Sequence, residues 1–290
     1  MDFIQGELFP QVADFIYAPQ IKKADDYDKT ACTVDWNELK DVNVIYTHTM
    51  YVAKLLYIIK HFKQKFIIIS HNSDCRVEKR GIVTTMGNSI MKSVEPCPIP
   101  GNVIKWYSTN VNMAHPKLVP IPIGVENQRW QGNPSKKLQM LEKVKEPRAY
   151  KNLLYINHSI GTNVKQRKEP YELFEGKSWV TAVRGHNGVN FAGYIDDIYN
   201  HKFTICPEGN GTDTHRTWEC LYVGSIPILK RHPNFRFYTD LPICFVDAWS
   251  EVTSRFLNKE YKRISNATWN LDKLNFSYWN NKILSDVDKQ

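Results

Sequence analysis

The sequence predicts an α/β protein built on two parallel sheets, and three observations carry that prediction. Short apolar runs alternate with segments of helical periodicity, the pattern of parallel βαβ units. The alternation stops in a polar, basic stretch after Glu126, NQRWQGNPSKKLQMLEKVKEPRAYK, and then restarts. The chain has 290 residues, more than one hydrophobic core usually organises.

VNVIY (Val42 to Tyr46) reads as a short buried strand. Val52, Leu55, Leu56, Ile59 and Phe62 follow at helical spacing, and FIIIS (Phe66 to Ser70) is a second strand. Further strands are expected at Val103 to Tyr107 and Leu118 to Ile123, while residues 1–35 read as an irregular lead-in. The polar stretch, with Pro134 and Pro147, reads as a linker or a connecting helix, with a boundary near Ala149. Beyond it, strands are expected at Asn152 to Asn157, Ser178 to Val183, Phe203 to Pro207, Ser225 to Leu229 and Ile243 to Val246. Helices are expected at Lys165 to Phe174 and Thr214 to Val223, and the aromatic-rich tail from Trp269 to Leu284 reads as a helix packing back on the first half. The expected division is therefore 1–148, 149–268 and the tail 269–290. Ligands of open parallel sheets sit at the carboxyl ends of the strands, so the residues just after each strand are the candidate site.

At 42% hydrophobic and 12% aromatic residues, the composition supports real cores and excludes a largely disordered chain. The formal charge of +8 fits an anionic ligand such as a nucleotide diphosphate, and equally nucleic acid or a membrane surface. The basic residues are mixed with acids throughout, without the basic stripe and interleaved aromatics that a nucleic-acid binder wants. The opening MDFIQGELFPQVADF lacks the basic and apolar regions of a signal peptide, and no apolar run approaches the ~20 residues of a membrane helix. Cys32, Cys75, Cys97, Cys206, Cys220 and Cys244 are scattered without a CxxC pair, as expected of buried free thiols in a reducing, cytoplasmic setting.

The strongest chemical signal is FTICPEGNGTDTHRTWECLYVGSIPIL, Phe203 to Leu229. A buried strand ends at Cys206, and Pro207, Glu208, Gly209 and Gly211 lead into a helix that Thr212 or Asp213 could cap. A helix start offers unpaired N–H groups and a partial positive charge, which together favour a phosphate. Glycines let the backbone approach a ligand closely. Arg216 in the first turn can pair with a diphosphate, and Glu219, three residues on along the same face, can accept from both ribose hydroxyls. The plainer reading is a polar turn before an amphipathic helix whose Trp218, Leu221 and Tyr222 pack into the core.

This stretch resembles the nucleotide-sugar signature of exostosin-like glycosyltransferases, CPxGxGxDSxRxWEAL followed by G-x-IPV. Thr214 stands where that family often has Ser, and Cys220 where it often has Ala. NLLYINHSIGTNVKQR is similar to the first strand and loop of the family's donor half, with Asn157, Ser159, Thr162, Asn163 and Arg167 in order. VIKWYSTNV and HPKLVPIPIGVEN resemble the end of its acceptor half, so the likeness runs roughly from Ile45 to Val246. The small size is more similar to the compact exostosin-like enzymes of large algal viruses, a xylosyltransferase among them. The resemblance implies a GT-B architecture of two Rossmann-like domains facing a central cleft. It implies a UDP-sugar donor in the second domain, a glycan acceptor in the first, and no metal or other cofactor. By it, Arg167 and Arg216 neutralise the diphosphate, Ser159 and Asn163 contact it, and Glu219 holds the ribose.

An inverting transfer needs a base for the acceptor hydroxyl. SHNSDCR (Ser70 to Arg76) follows a strand of the first half, and Asp74 is the preferred candidate there, with His71 in reserve. The same residues also suit an Asx-turn that simply ends the strand. Thr47-His48-Thr49 lines the same edge or caps a helix. For a metal the sequence offers no Asp-x-Asp after a strand. Asp25-Asp26 and Asp196-Asp197 are adjacent pairs that splay apart, and lone histidines such as His186 and His201 are ordinary loop residues. No GxSxG elbow supports a hydrolase triad. The rival readings are a non-catalytic nucleotide or nucleic-acid binder and a sugar-phosphate hydrolase.

Overall fold

The computed structural model describes residues 2–17, 35–83, 94–130, 132, 134–184 and 190–289. Cys32, Asp25, Asp26 and His186 lie outside them. The first half runs through β1 (Phe15–Ile16), β2 (Val44–His48), helix α1 (Val52–Ile59) and β3 (Phe66–His71). It continues with β4 (Arg76–Glu78), β5 (Gly81–Val83), β6 (Val94–Glu95), β7 (Val103–Ser108) and β8 (Leu118–Pro120). Strands β1-β2-β3-β7-β8 form one parallel sheet in that order, and β4-β5-β6 a small antiparallel one.

Helix α2 (Lys136–Lys143) follows, then β9 (Asn152–His158), α3 (Val164–Phe174), β10 (Val180–Arg184), α4 (Phe191–Tyr199) and β11 (His201–Ile205). The chain ends with α5 (His215–Val223), β12 (Ile226–Lys230), β13 (Cys244–Val246), α6 (Ser254–Ser265) and α7 (Phe276–Val287). The second five-stranded sheet has the order β10-β9-β11-β12-β13, parallel throughout. The protein is thus a mixed α/β structure with two parallel sheets.

Both sheets are buried on both faces, which is why their strands read as unbroken apolar runs. Successive side chains point to opposite faces, so a strand of period two feeds two cores at once. Ile67 and Ile69 join Val44, Tyr46 and Tyr107 on the inner face, while Phe66 and Ile68 join Ile45 and Trp106 on the outer one. In the second sheet Tyr155 and Leu229 face inward, and Leu154, Ile156, Phe203 and Ile228 outward. The inner cluster is continuous from one sheet to the other, filled between them by Phe3, Phe9, Trp218, Tyr238 and Trp279.

Two segments depart from the sequence reading, and the polar stretch takes one of the two forms read for it. The lead-in is not irregular: Phe3, Ile4 and Phe9 are buried, Gly6–Val12 forms a 3-10 helix, and β1 adds an edge strand beside β2. Seven 3-10 residues with Pro10 inside carry no period that a sequence can display. The polar stretch holds α2, started by Ser135 Oγ accepting from the Leu138 N–H at 3.2 Å. Helix α4, absent from the sequence reading, begins at Asn190, whose side chain accepts from the Gly193 N–H at 2.9 Å.

Gly224 ends α5 in the left-handed region (φ +74°), and the Ser225 N–H reaches back to the Cys220 carbonyl. Helix α7 buries Trp279 and Ile283, and Tyr107 Oη donates to Asp286 Oδ2 at 2.5 Å, so the tail lies on the first sheet. Among the described residues no helix is long and apolar enough to cross a membrane.

Candidate functional site

In the second sheet β9 sits between β10 and β11, so the connections leaving β9 and β11 depart to opposite sides. Such a switch point leaves a crevice at the carboxyl ends of the two strands. A cavity of about 580 Å³ opens there, bordered by Asn157 near the end of β9, by Ser159 and Thr162 after it, by Gly209 to Gly211 after β11, and by the first turns of α4 and α5.

The start of α5 forms its floor. Thr214 is the N-cap, in extended backbone conformation and without a side-chain cap bond, so the first N–H groups of the helix keep their field. Thr214 Oγ1 and Arg216 Nε are buried polar atoms with no hydrogen-bond partner among the described residues. Desolvation opposes the charge on Arg216, and Tyr194, Cys206 and Glu219 around it outweigh that, holding the guanidinium above its ordinary range. Glu219 is 6% exposed, borders the cavity and accepts from Tyr194 Oη at 2.8 Å.

Asp213 does not cap the helix. Its buried carboxylate accepts from Trp218 Nε1 at 3.0 Å, from the Thr214 N–H at 2.9 Å and, across the molecule, from the Ile123 N–H at 2.9 Å. Burial still pushes it up to about 6, against those hydrogen bonds. Thr212 does not cap either: its hydroxyl donates to Asn112 Oδ1 at 2.8 Å.

The glycines of this loop answer to protein neighbours as well as to the cavity. A Cβ at Gly209 would come within 2.8 Å of Arg167 Nη2, and one at Gly211 within 2.7 Å of Asn110 Oδ1. Arg167 is itself committed. Its Nε donates to the Glu208 carbonyl at 2.8 Å and its Nη1 to the Ser159 carbonyl at 3.1 Å, joining the two loops that border the cavity. Burial, with Arg216 nearby, pulls it down to about 10.

Of the residues the sequence singles out, Asp74, Asn157, Ser159, Arg167, Gly209, Gly211, Asp213, Thr214, Arg216 and Glu219 border this cavity. Asn163, Pro207, Glu208, Thr212 and His71 do not. Asn163 caps α3 and donates to the Gly209 carbonyl at 2.8 Å, shaping the loop from behind. Pro207 is buried between β11 and the glycines. Glu208 pairs with Arg76 at 3.2 Å, and burial raises its pKa.

His71 is 1% exposed and stacked on Phe9. Its Nε2 donates to the Pro122 carbonyl at 2.9 Å and its Nδ1 accepts from the Asn72 N–H at 2.7 Å. Burial pulls it down to about 4. With both nitrogens engaged, its ring has no lone pair left for a substrate proton.

The structure adds residues that the sequence reading passed over: Tyr194, Phe191 and Asn190 from α4, Lys136 from α2, Asn210, and His215. Asn190 as a cap followed by Phe191, Ile195 and Ile198 at helical spacing is a readable signal for α4. A second cavity, of about 560 Å³, adjoins the first and lies against Gly6, Asn72, Asn127 and Trp130 of the first half. The two share a wall made of Asp74, Ile123, Glu126, Lys136 and His215. On that wall Glu126 is paired with Lys136, and Asp74 accepts from Asn210 Nδ2 at 3.3 Å.

The adjacent acids Asp196 and Asp197 hold Lys151 between them, at 2.6 and 2.9 Å. His201 is fully buried and bonded to the Asp197 carbonyl and Thr181 Oγ1. No protein-family model matches the chain, and no curated protein matches it.

Proposed function

We propose that this chain is a glycosyltransferase of GT-B type that transfers a sugar from a UDP-sugar to a hydroxyl of a glycan, with inversion and without a metal. The observation that carries the reading is Arg216: a cation beside a helix start, its Nε lacking any protein acceptor among the described residues, at the floor of a switch-point cavity. Such a group favours an anionic ligand. Glu219 stands one helical turn further, bonded to Tyr194 of α4, where a carboxylate can accept from the two hydroxyls of a ribose.

In this reading the acceptor hydroxyl attacks the anomeric carbon from the second cavity, and the bond from that carbon to the diphosphate oxygen breaks. The electron pair leaves with UDP. Arg216, Thr214 Oγ1 and the first N–H groups of α5 stabilise the charge that develops on it. The hydroxyl proton goes to a base on the shared wall. Asp74 stands on that wall, and His71 is unsuited because both of its nitrogens are engaged.

Calorimetry with UDP, UMP and uridine tests the donor assignment, followed by a panel of nucleotide sugars assayed for UDP release. UDP is expected to bind far more tightly than uridine. Arg216→Ala is expected to remove most of that difference, and Glu219→Ala to weaken UDP by roughly 1.5–3 kcal/mol, the range for hydrogen bonds to a charged group. Equal affinity for UDP and uridine, or no nucleotide sugar split, overturns the proposal.

A further inference from the structure

We infer that His215, and not Asp74, is the general base of this site; the inference rests on the glycosyl-transfer reading above. Three groups on the wall shared by the two cavities can accept a proton: Asp74, Glu126 and His215. Their surroundings separate them. The Glu126 carboxylate is occupied by the Lys136 ammonium. Asp74 is exposed to solvent, and Asn210 Nδ2 donates to one of its oxygens at 3.3 Å. One Asp74 oxygen is therefore engaged by protein.

His215 is arranged differently. Its Nδ1 lies 2.7 Å from the Gly124 carbonyl oxygen. A carbonyl only accepts, so Nδ1 carries the proton and the lone pair of the neutral ring sits on Nε2. Among the described residues no hydrogen bond engages that Nε2, and His215 borders both cavities. A nucleophile entering from the second cavity toward the donor in the first therefore passes a ring whose free nitrogen is an acceptor.

The carbonyl that fixes the tautomer is itself held. Gly124 adopts φ +68°, where a Cβ would meet the Ile4 carbonyl oxygen at 2.2 Å, and the next N–H, of Val125, donates to that same oxygen at 2.9 Å. A base oriented by a third, rigid group is the arrangement that general-base catalysis uses. In the step itself the acceptor O–H proton moves to Nε2 as the oxygen bonds to the anomeric carbon, and the sugar–diphosphate bond breaks with its electron pair going to UDP.

The test uses the full chain, UDP, and whichever UDP-sugar the wild-type protein splits. His215→Gln keeps an amide able to reach the Gly124 carbonyl but has no lone pair of comparable basicity. Its kcat is expected to fall by about 10²–10⁴-fold, the usual contribution of a general base, while the Kd for UDP stays within about threefold. Asp74→Asn is expected to lose less. His215→Gly assayed with added imidazole provides a second readout, and activity returning with imidazole concentration is the expected result. A larger loss in Asp74→Asn than in His215→Gln overturns the inference and returns the role to Asp74. Failure of imidazole to restore His215→Gly, with UDP still bound, also overturns it. If the wild-type protein neither binds UDP nor splits a nucleotide sugar, the glycosyl-transfer reading falls and the inference falls with it.

Discussion

His48, His71 and His158 are buried imidazoles, and burial, the largest influence on each, pulls them to about 4, 4 and 3. Each stays neutral in the fold, whereas the unfolded chain takes up a proton near pH 6.5. The unfolded state therefore binds more protons below about pH 6.5, and stability falls as the pH drops from there toward 4. Each group accounts for about 3 kcal/mol across that window. Asp213, pushed up to about 6 from an ordinary 3.8, acts in the opposite sense and offsets part of the loss. Urea unfolding at a series of pH values should show the midpoint falling between pH 6.5 and 4.5. His71→Gln should flatten that slope by about one proton; an unchanged slope would mean that His71 is charged or exposed. The sequence made the chemical types at the site legible and left their partners hidden. Asn163, Glu208 and Thr212 were singled out as part of one constellation, yet they bond to protein, because which loop lies behind another is set by packing across more than 40 residues. His215 stood in plain sight beside Arg216, and only the Gly124 carbonyl gives it a role.

At the scale of elements, strands were the legible part. FIIIS and NLLYIN are buried on both faces, so their composition alone marks them. The short 3-10 lead-in and β1 were not legible, since two strand residues and one Pro-containing turn show no period. Helix α7 was read from its aromatics, and its packing gives a test. Trp279 is 1% exposed, its Nε1 donates to the Lys273 carbonyl at 3.0 Å, and its ring meets Tyr238 edge-on at 6.0 Å between centroids. Trp279→Ala is expected to cost about 3–5 kcal/mol, the range for truncating a buried aromatic. Chemical denaturation measures it, and a loss below about 1 kcal/mol would mean that the tail is not seated on the core.

For the molecule as a whole, the segment from Glu208 to His215 is fastened to the opposite half along its length. Arg76 reaches Glu208 and the Asn210 carbonyl, Asn112 takes the Thr212 hydroxyl, Asn110 Oδ1 accepts from the Asp213 N–H at 2.8 Å, and Ile123 and Gly124 hold Asp213 and His215. A phosphate-sized anion arriving there meets a surface whose conformational entropy was surrendered when the chain folded. Binding then has little left to order, and affinity reflects preorganisation more than new contacts. The corollary is that a distant substitution can weaken the ligand by restoring freedom to the loop. Asn110 is uncharged and lies outside the cavity wall, and it holds the loop from behind through the Asp213 N–H. Asn110→Ala should nonetheless lower UDP affinity by about tenfold, with the loss appearing as a more unfavourable binding entropy in calorimetry. Undiminished affinity in the folded variant would show that the loop keeps its shape without being fastened.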